Sequence, residues 1–382
     1  MTTPTMKLTY LSALFLFYTY ATCGEEMQNE EQQEEAIRLG IYFLYDQAFW
    51  NGALFVKNNS YNAYFAALTR AAQEFFKLHT DPKILLTLVG SSKLQDNIVN
   101  NTITKENTLN ASETLEKLGA ILTWHNNTLY AGADVIFLAT GLKLHITESW
   151  RTGEWYGLSY RRSICFGNST VGIIYDDGAN FYGVRLMALQ VALLLGAWKD
   201  NGRWGECPKN EEEEYLTSNP RGGRIPYLSE CSRESVRSFY YRVKSNRDIC
   251  WNDKPKPALD EEIGFPKDFY KLFDCDHCHV AEHFRNKTTQ PINCSLSTIN
   301  RNINNWPSTK KSDWARKARK RYERWYRKHT TTVSPYHACT QSCCRFMRYT
   351  DRYGGWWDCW DTRAADGTVC DSTRVCLDGE CA

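Results

Sequence analysis

The residue types best suited to chemistry in this chain are its 15 cysteines and eight histidines, and both are unevenly spaced. Cys275-Asp276-His277-Cys278-His279 matches the C-x-x-C-H pattern of haem attachment, and His283 completes a donor set of the kind zinc takes. Disulfide bridging is the favoured reading of these cysteines, because a cysteine-rich chain belongs to an oxidising compartment. A second candidate is the stretch from Lys310 to Lys328, where ten basic residues face only Asp313 and Glu323. Trp314, Ala318, Tyr322 and Trp325 recur there at helical spacing, so the segment is expected to be a helix with an aromatic stripe flanked by cations. Arg316, Lys317, Arg319, Lys320 and Arg321 would then suit a heparin-like polysaccharide or an anionic membrane surface. The competing reading is an amphipathic helix docked on a neighbouring domain.

The elements that must position such residues begin with the compartment. Lys7 followed by apolar Leu8 to Tyr20, then Ala21-Thr22-Cys23, reads as a signal peptide over residues 1–23. No later stretch reaches the roughly 18 apolar residues of a membrane span, so no transmembrane anchor is expected. Seven acceptor sequons, at Asn58, Asn100, Asn110, Asn126, Asn168, Asn286 and Asn293, suit a secreted extracellular glycoprotein. Forty-six basic against 44 acidic side chains give a net charge of +2, which argues against a nucleic-acid partner. A monomer is expected.

Removing Cys23 leaves 14 cysteines, an even number suited to complete pairing. None lies between Gly24 and Ile164, so that region must rely on a conventional core. Cys165, Cys207, Cys231 and Cys250 follow, then Cys275, Cys278 and Cys294. Cys339, Cys343, Cys344, Cys359, Cys370, Cys376 and Cys381 crowd into the tail as a disulfide scaffold. The middle three and the last seven are each odd in number, so full oxidation requires at least one bridge between the two groups.

The cysteine-free part alternates strand and helix. Leu39–Leu44, Ile84–Val89 and Val135–Leu138 read as buried strands; Tyr61–Phe76, with Ser60 as N-cap, and Thr108–Trp124 read as helices. This βαβαβ order predicts an α/β layer with a largely parallel twisted sheet. Ser232–Val243 reads as a further helix. The proline-bearing run Lys254-Pro255-Lys256-Pro257 marks a boundary. The expected domains are 24–254, a linker over 255–335 carrying the C-x-x-C segment and the basic helix, and a cysteine-rich tail over 336–382.

Three segments, in order, resemble the reprolysin (adamalysin-type) zinc metalloproteases of the metzincin group. They are Ala133 to Gly141; Gly157-Leu158-Ser159-Tyr160 through Cys165 and Val171-Gly172-Ile173-Ile174; and Leu228-Ser229-Glu230-Cys231-Ser232 followed by Ile249-Cys250-Trp251-Asn252. The tail from Ala365 to Cys381 is similar to the cysteine-rich tails of arthropod members, notably secreted tick proteins. The resemblance implies a metzincin-like mixed sheet, zinc as family cofactor and metalloendopeptidase as family activity. It also demands H-E-x-x-H-x-x-G-x-x-H, because three imidazoles hold the zinc while the glutamate deprotonates its water.

The matching stretch is Leu189 to Asp200, in which Gly196 and Asp200 keep the frame. Leu189, Leu193 and Lys199 stand at the ligand positions, Gln190 at the base position, and Leu228 at the Met-turn methionine. Leucine has no lone pair, a lysine ammonium repels a cation, and a glutamine amide takes no proton at neutral pH. No histidine occurs between His145 and His277, so a shifted alignment restores nothing. A plain core helix is the competing reading of Leu189–Leu195; the flanking motifs favour a former active site.

The expectation is therefore a secreted pseudoprotease with no catalytic residue, no metal ligands and no cofactor, binding an extracellular protein or glycosaminoglycan. The alternatives are an active zinc endopeptidase, and a polysaccharide or membrane-surface binder acting through the basic helix.

Overall fold

A computed structural model describes residues 35–53, 60–95, 99, 101–104, 107–124, 130–145, 154–202, 207–208, 213–219, 223, 225–244, 250–272, 339–348, 355–371 and 374–382. The chain divides into two compact units, 1–36 and 37–382, and the hydrophobic cores lie in the second. The signal segment, the C-x-x-C-H run with Cys294, and the basic segment lie outside the described residues.

β1 (Ala36–Tyr45) leads through α1 (Gln47–Gly52) to α2 (Tyr61–Gln73), which ends in a 3-10 turn, Glu74–Phe76. β2 (Lys83–Lys93), the short β3 (Leu109–Asn110), α3 (Ala111–Trp124) and β4 (Val135–Thr140) come next. The expected elements are present, with adjusted ends. Ser60 occupies the N-cap of α2 without a side-chain cap bond. The helix expected from Thr108 starts at Ala111, because Asn110 accepts from the Glu113 amide at 3.4 Å and caps it.

β5 (Leu144–His145), β6 (Glu154–Trp155) and β3 make a small three-stranded sheet. The main sheet runs β2-β1-β4-β8-β7, with β7 at Gly157–Ser159 and β8 at Val171–Tyr175. β1 and β4 pair in parallel, as do β4 and β8, whereas β7 runs antiparallel to β8 along the edge. The fold is thus mixed α/β with a mostly parallel sheet.

β4 shows why the sheet is central. Its six residues are all buried, and alternate side chains enter different cores. Val135, Phe137 and Ala139 join α2 and the later helix α4 (Gly183–Leu194), while Ile136 and Leu138 join Leu115 and Leu118 of α3. Helices therefore cover both faces. On the first face Phe43 stacks on Phe65 with ring centroids 4.2 Å apart.

Beyond α5 (Glu230–Val243) the chain continues to α6 (Pro266–Lys271) and then the hairpin of β9 (Thr340–Arg348) with β10 (Gly355–Arg363). β11 (Cys376–Leu377) and β12 (Glu380–Cys381) close the described chain. Residues assigned by sequence to linker and tail share the main core: Phe269 and Tyr270 pack there with Ala365, Leu377 and Ala382. The Ala258 amide also donates to the Leu88 carbonyl of β2 at 2.8 Å.

Candidate functional site

α4 carries the residues that the resemblance singles out. All twelve of its residues are buried, a pattern found in helices enclosed by a core rather than bordering water. It ends where the frame requires a turn. The Ala197 amide donates to the Ala192 carbonyl at 2.8 Å and the Gly196 amide to the Leu193 carbonyl at 2.9 Å, the two bonds of a Schellman cap. Gly196 sits at φ +96°, which a side chain rarely tolerates.

Leu189 and Leu193, one turn apart, are 4% and 8% exposed and belong to the main core, as does Leu228 at 5%. Leu189, Leu193 and Leu228, which the resemblance assigns to two ligand positions and the Met-turn, thus share one apolar cluster. Lys199 stands apart, half-buried, with its carbonyl accepting from the Cys207 amide at 3.1 Å. Three alkyl side chains and an ammonium offer zinc no donor, so these residues do not fit the metal. Among the described residues, the sulfurs of Cys339, Cys370 and Cys381 lie within 4.8 Å of one another, but all three are bonded in disulfides and are not thiolate ligands.

Gln190 occupies the base position and is 2% exposed. Its Oε1 accepts from the Ser159 hydroxyl at 2.8 Å, tying α4 to the edge strand β7. A methyl group at Gly157 would meet Gln190 Nε2 at 2.9 Å and the Ile173 carbonyl oxygen at 3.1 Å, so a larger residue there would push against the helix. The Gln190 amide therefore acts as a strut.

The turn after α4 is filled as well. Arg161 donates to the carbonyls of Ala197 at 3.0 Å and Gly196 at 3.3 Å, and its guanidinium lies 3.2 Å from the centre of the Trp198 ring. Arg162 approaches the same ring at 5.1 Å, and burial with the nearby Arg242 charge lowers its pKa. Asp200, the last residue of the frame, is buried and accepts from Ser229 at 2.7 Å and Thr217 at 2.5 Å. Ser229 in turn caps α5 by accepting from the Ser232 amide at 3.1 Å.

A second buried cluster precedes the helix. Asp176 accepts from the Tyr64 hydroxyl at 2.6 Å, the Gly183 amide at 2.7 Å and the Gly178 amide at 2.8 Å. Asp177 accepts from the Ala179 and Asn180 amides and the Asn180 side chain. Burial raises both carboxyl pKa values, and the Asp177 charge raises that of Asp176 further. Every named contact anchors the loop into α4, so the pair is structural.

Sequence reasoning named Gly157 and Ser159 only as parts of a resembling segment, and it missed Arg161, Asp176 and Asp177. Nothing local in the sequence pairs Ser159 with a residue 31 positions away.

Four disulfides are described: Cys165–Cys250, Cys207–Cys231, Cys339–Cys376 and Cys370–Cys381. The first two lie between residues 165 and 250, the last two within the tail. Of the sequons, Asn110 is half-buried in the α3 cap, with Nδ2 donating to Glu113 at 3.3 Å, and Asn168 lies in a 3-10 turn, Gly167–Ser169. Asn58, Asn100, Asn126, Asn286 and Asn293 fall outside the described residues, as do Arg316, Lys317, Arg319, Lys320 and Arg321. Among the described residues no helix is long and apolar enough to cross a membrane.

No protein-family description and no curated relative matches this chain. Among solved structures it is similar to one titled "Structure of a chaperone-substrate complex", at 12% identity and TM-score 0.34, over 55% of this chain and 36% of that one. It is also similar to metalloproteinase-II from Bacteroides fragilis, at 14% identity and TM-score 0.34, over 54% of each chain.

Proposed function

We propose that this protein is a secreted, disulfide-bonded glycoprotein of metalloprotease-like ancestry that has lost catalysis and acts by binding extracellular macromolecules. The observation that carries this reading is the fate of four positions. Leu189 and Leu193 sit in the core where metal ligands are required, Gln190 bonds to Ser159 instead of holding a water, and Lys199 brings a cation. The four disulfides support an oxidising compartment. β7, at the edge of the main sheet, supports a binding role, because an edge strand can accept an extended peptide as an added strand.

The test is elemental analysis of the purified mature protein, together with cleavage of denatured protein substrates with and without a chelator. Substoichiometric zinc and no chelator-sensitive cleavage are expected. One zinc per chain with chelator-sensitive cleavage would overturn the proposal and restore the endopeptidase.

A further inference from the structure

We infer that Arg162 and Arg242 form a binding site for the sulfate groups of a sulfated polysaccharide. Such a site gives the proposed binding of extracellular macromolecules, on which it rests, a surface and a ligand class.

The segment 160–170, which joins β7 to β8, contains two arginines and no acidic residue. Arg162 lies at φ +58°, in the left-handed region that long side chains seldom adopt. Its side chain runs along the turn after α4: a Cβ on Gly196 would meet Arg162 Cγ at 3.0 Å and Phe239 Cβ at 3.2 Å. Arg162 Nη2 then reaches the Ser235 hydroxyl at 3.5 Å, a long bond, while Ser235 itself donates to the Gly196 carbonyl at 2.7 Å. Arg162 Nε is buried and meets no acceptor among the described residues.

The second cation comes from α5. Ser235, Phe239 and Arg242 are spaced i, i+4 and i+7, so they share one stripe of the helix. Side chains lean toward the N-terminus of their helix, which directs Arg242 back toward the turn holding Phe239 and Ser235. Arg242 is exposed, and its charge reaches Arg162, where it adds to burial in lowering the arginine pKa.

The other arginines within α5 are neutralised. Arg233 pairs with Glu230, and Arg237 with Asp81 at 2.9 Å and Glu234 at 3.8 Å. Among the described residues neither Arg162 nor Arg242 has a carboxylate partner; the nearby acidic charge, Glu116, is felt at Tyr160. Two like charges on one surface, one of them half-buried, are stabilised by an anion between them. A guanidinium presents a planar fork of N–H donors that fits two oxygens of a tetrahedral oxyanion. Sulfate esters along a polysaccharide present that anion in repeat.

The experiment is arginine modification of the full secreted chain with phenylglyoxal, mapped by mass spectrometry, alone and with a heparin-derived hexasaccharide. The same oligosaccharide stripped of sulfate is the control. The sulfated form should slow modification of Arg162 and Arg242 several-fold, and the desulfated form should not. Arg233 and Arg237 should be unaffected by either. Calorimetry gives a second readout: Arg162→Gln and Arg242→Gln should each weaken hexasaccharide binding several-fold, the latter at an exposed position where folding is not at stake. Unchanged affinity in the Arg242 variant would overturn the assignment, as would equal protection by the desulfated form or at Arg233 and Arg237. Protection confined to Arg316, Arg319 and Arg321 would place the polysaccharide on the basic segment instead. Zinc content and peptide cleavage do not enter this map, so the loss of catalysis and the arginine site can fail separately.

Discussion

Gln190, on the helix Gly183–Leu194, accepts a 2.8 Å hydrogen bond at Oε1 from the hydroxyl of Ser159 on the edge strand Gly157–Ser159. A neutral, buried amide thus holds an edge strand against its helix. The same contact crowds position 157, because Nε2 lies 2.9 Å from where a Cβ would stand. Gln190 is thereby part of the packing between helix and edge strand.

This coupling predicts the behaviour of three variants. Gln190→Ala should destabilise the fold by about 1–3 kcal/mol, the cost of a cavity in place of a buried side chain plus the lost bond to the half-buried Ser159 hydroxyl. Gly157→Ala should also destabilise it, by overpacking against Nε2 and the Ile173 carbonyl. The double variant should cost less than the sum, since removing the amide relieves part of the overlap. Urea unfolding of all three provides the cycle, and strict additivity would contradict the strut.

A buried arginine also meets the tail. Arg185, on the helix Gly183–Leu194, lies 2.5 Å from Asp378, which also pairs with Arg363. Burial lowers the Arg185 pKa to about 10, with the Asp366 charge opposing. Arg185→Met should leave Asp378 and the buried Asp366 short of positive charge and cost about 3 kcal/mol. Limited proteolysis should then cut the 364–382 segment faster than in the unaltered protein. An unchanged urea midpoint and unchanged cleavage would show that the ion pair does not hold the tail.

Stability should fall as pH rises through the weakly acidic range. Burial raises Asp134 to about 7 and Asp366 to about 6, in the latter case against the lowering effect of Arg363 and Arg185. A carboxyl with a raised folded-state pKa binds its proton more tightly folded than unfolded. Its contribution is therefore most favourable below its ordinary value of 3.8 and is lost as pH climbs through the folded value. Asp134→Asn should flatten the decline between pH 5 and 7.5 by on the order of 1–3 kcal/mol, because an amide oxygen still accepts from the Gly40 amide. Urea titrations at stepped pH measure the slope, and an unaltered slope would exclude Asp134 as a contributor.

The disulfides should differ in weight. Cys165–Cys250 closes a separation of 85 residues and Cys207–Cys231 one of 24. Chain-entropy reasoning assigns them roughly 4.5 and 3.5 kcal/mol, so the paired serine variant of the longer loop should unfold at the lower urea concentration. Reversal of that order would point to local packing around the Ser229–Asp200 contact as the stronger term.

Much of this was legible in the residues themselves. The buried runs Leu39–Leu44 and Val135–Leu138 announced strands enclosed on both faces, because a helix-covered sheet leaves no place for polar alternation. That positions 189, 190, 193 and 199 carry no histidine and no carboxylate was equally plain, since the capacity to ligate or take a proton belongs to a side chain whatever surrounds it. Tertiary structure alone decided what these side chains contact. Gln190 could pair with Ser159, Leu193 could share a core with Leu228, and Arg185 could meet Asp378 only after strands, helices and tail had been brought together across separations of 31, 35 and 193 residues. Composition and spacing specify which chemistry a chain can perform; contacts between distant residues depend on how the packed core closes, and no local pattern encodes that.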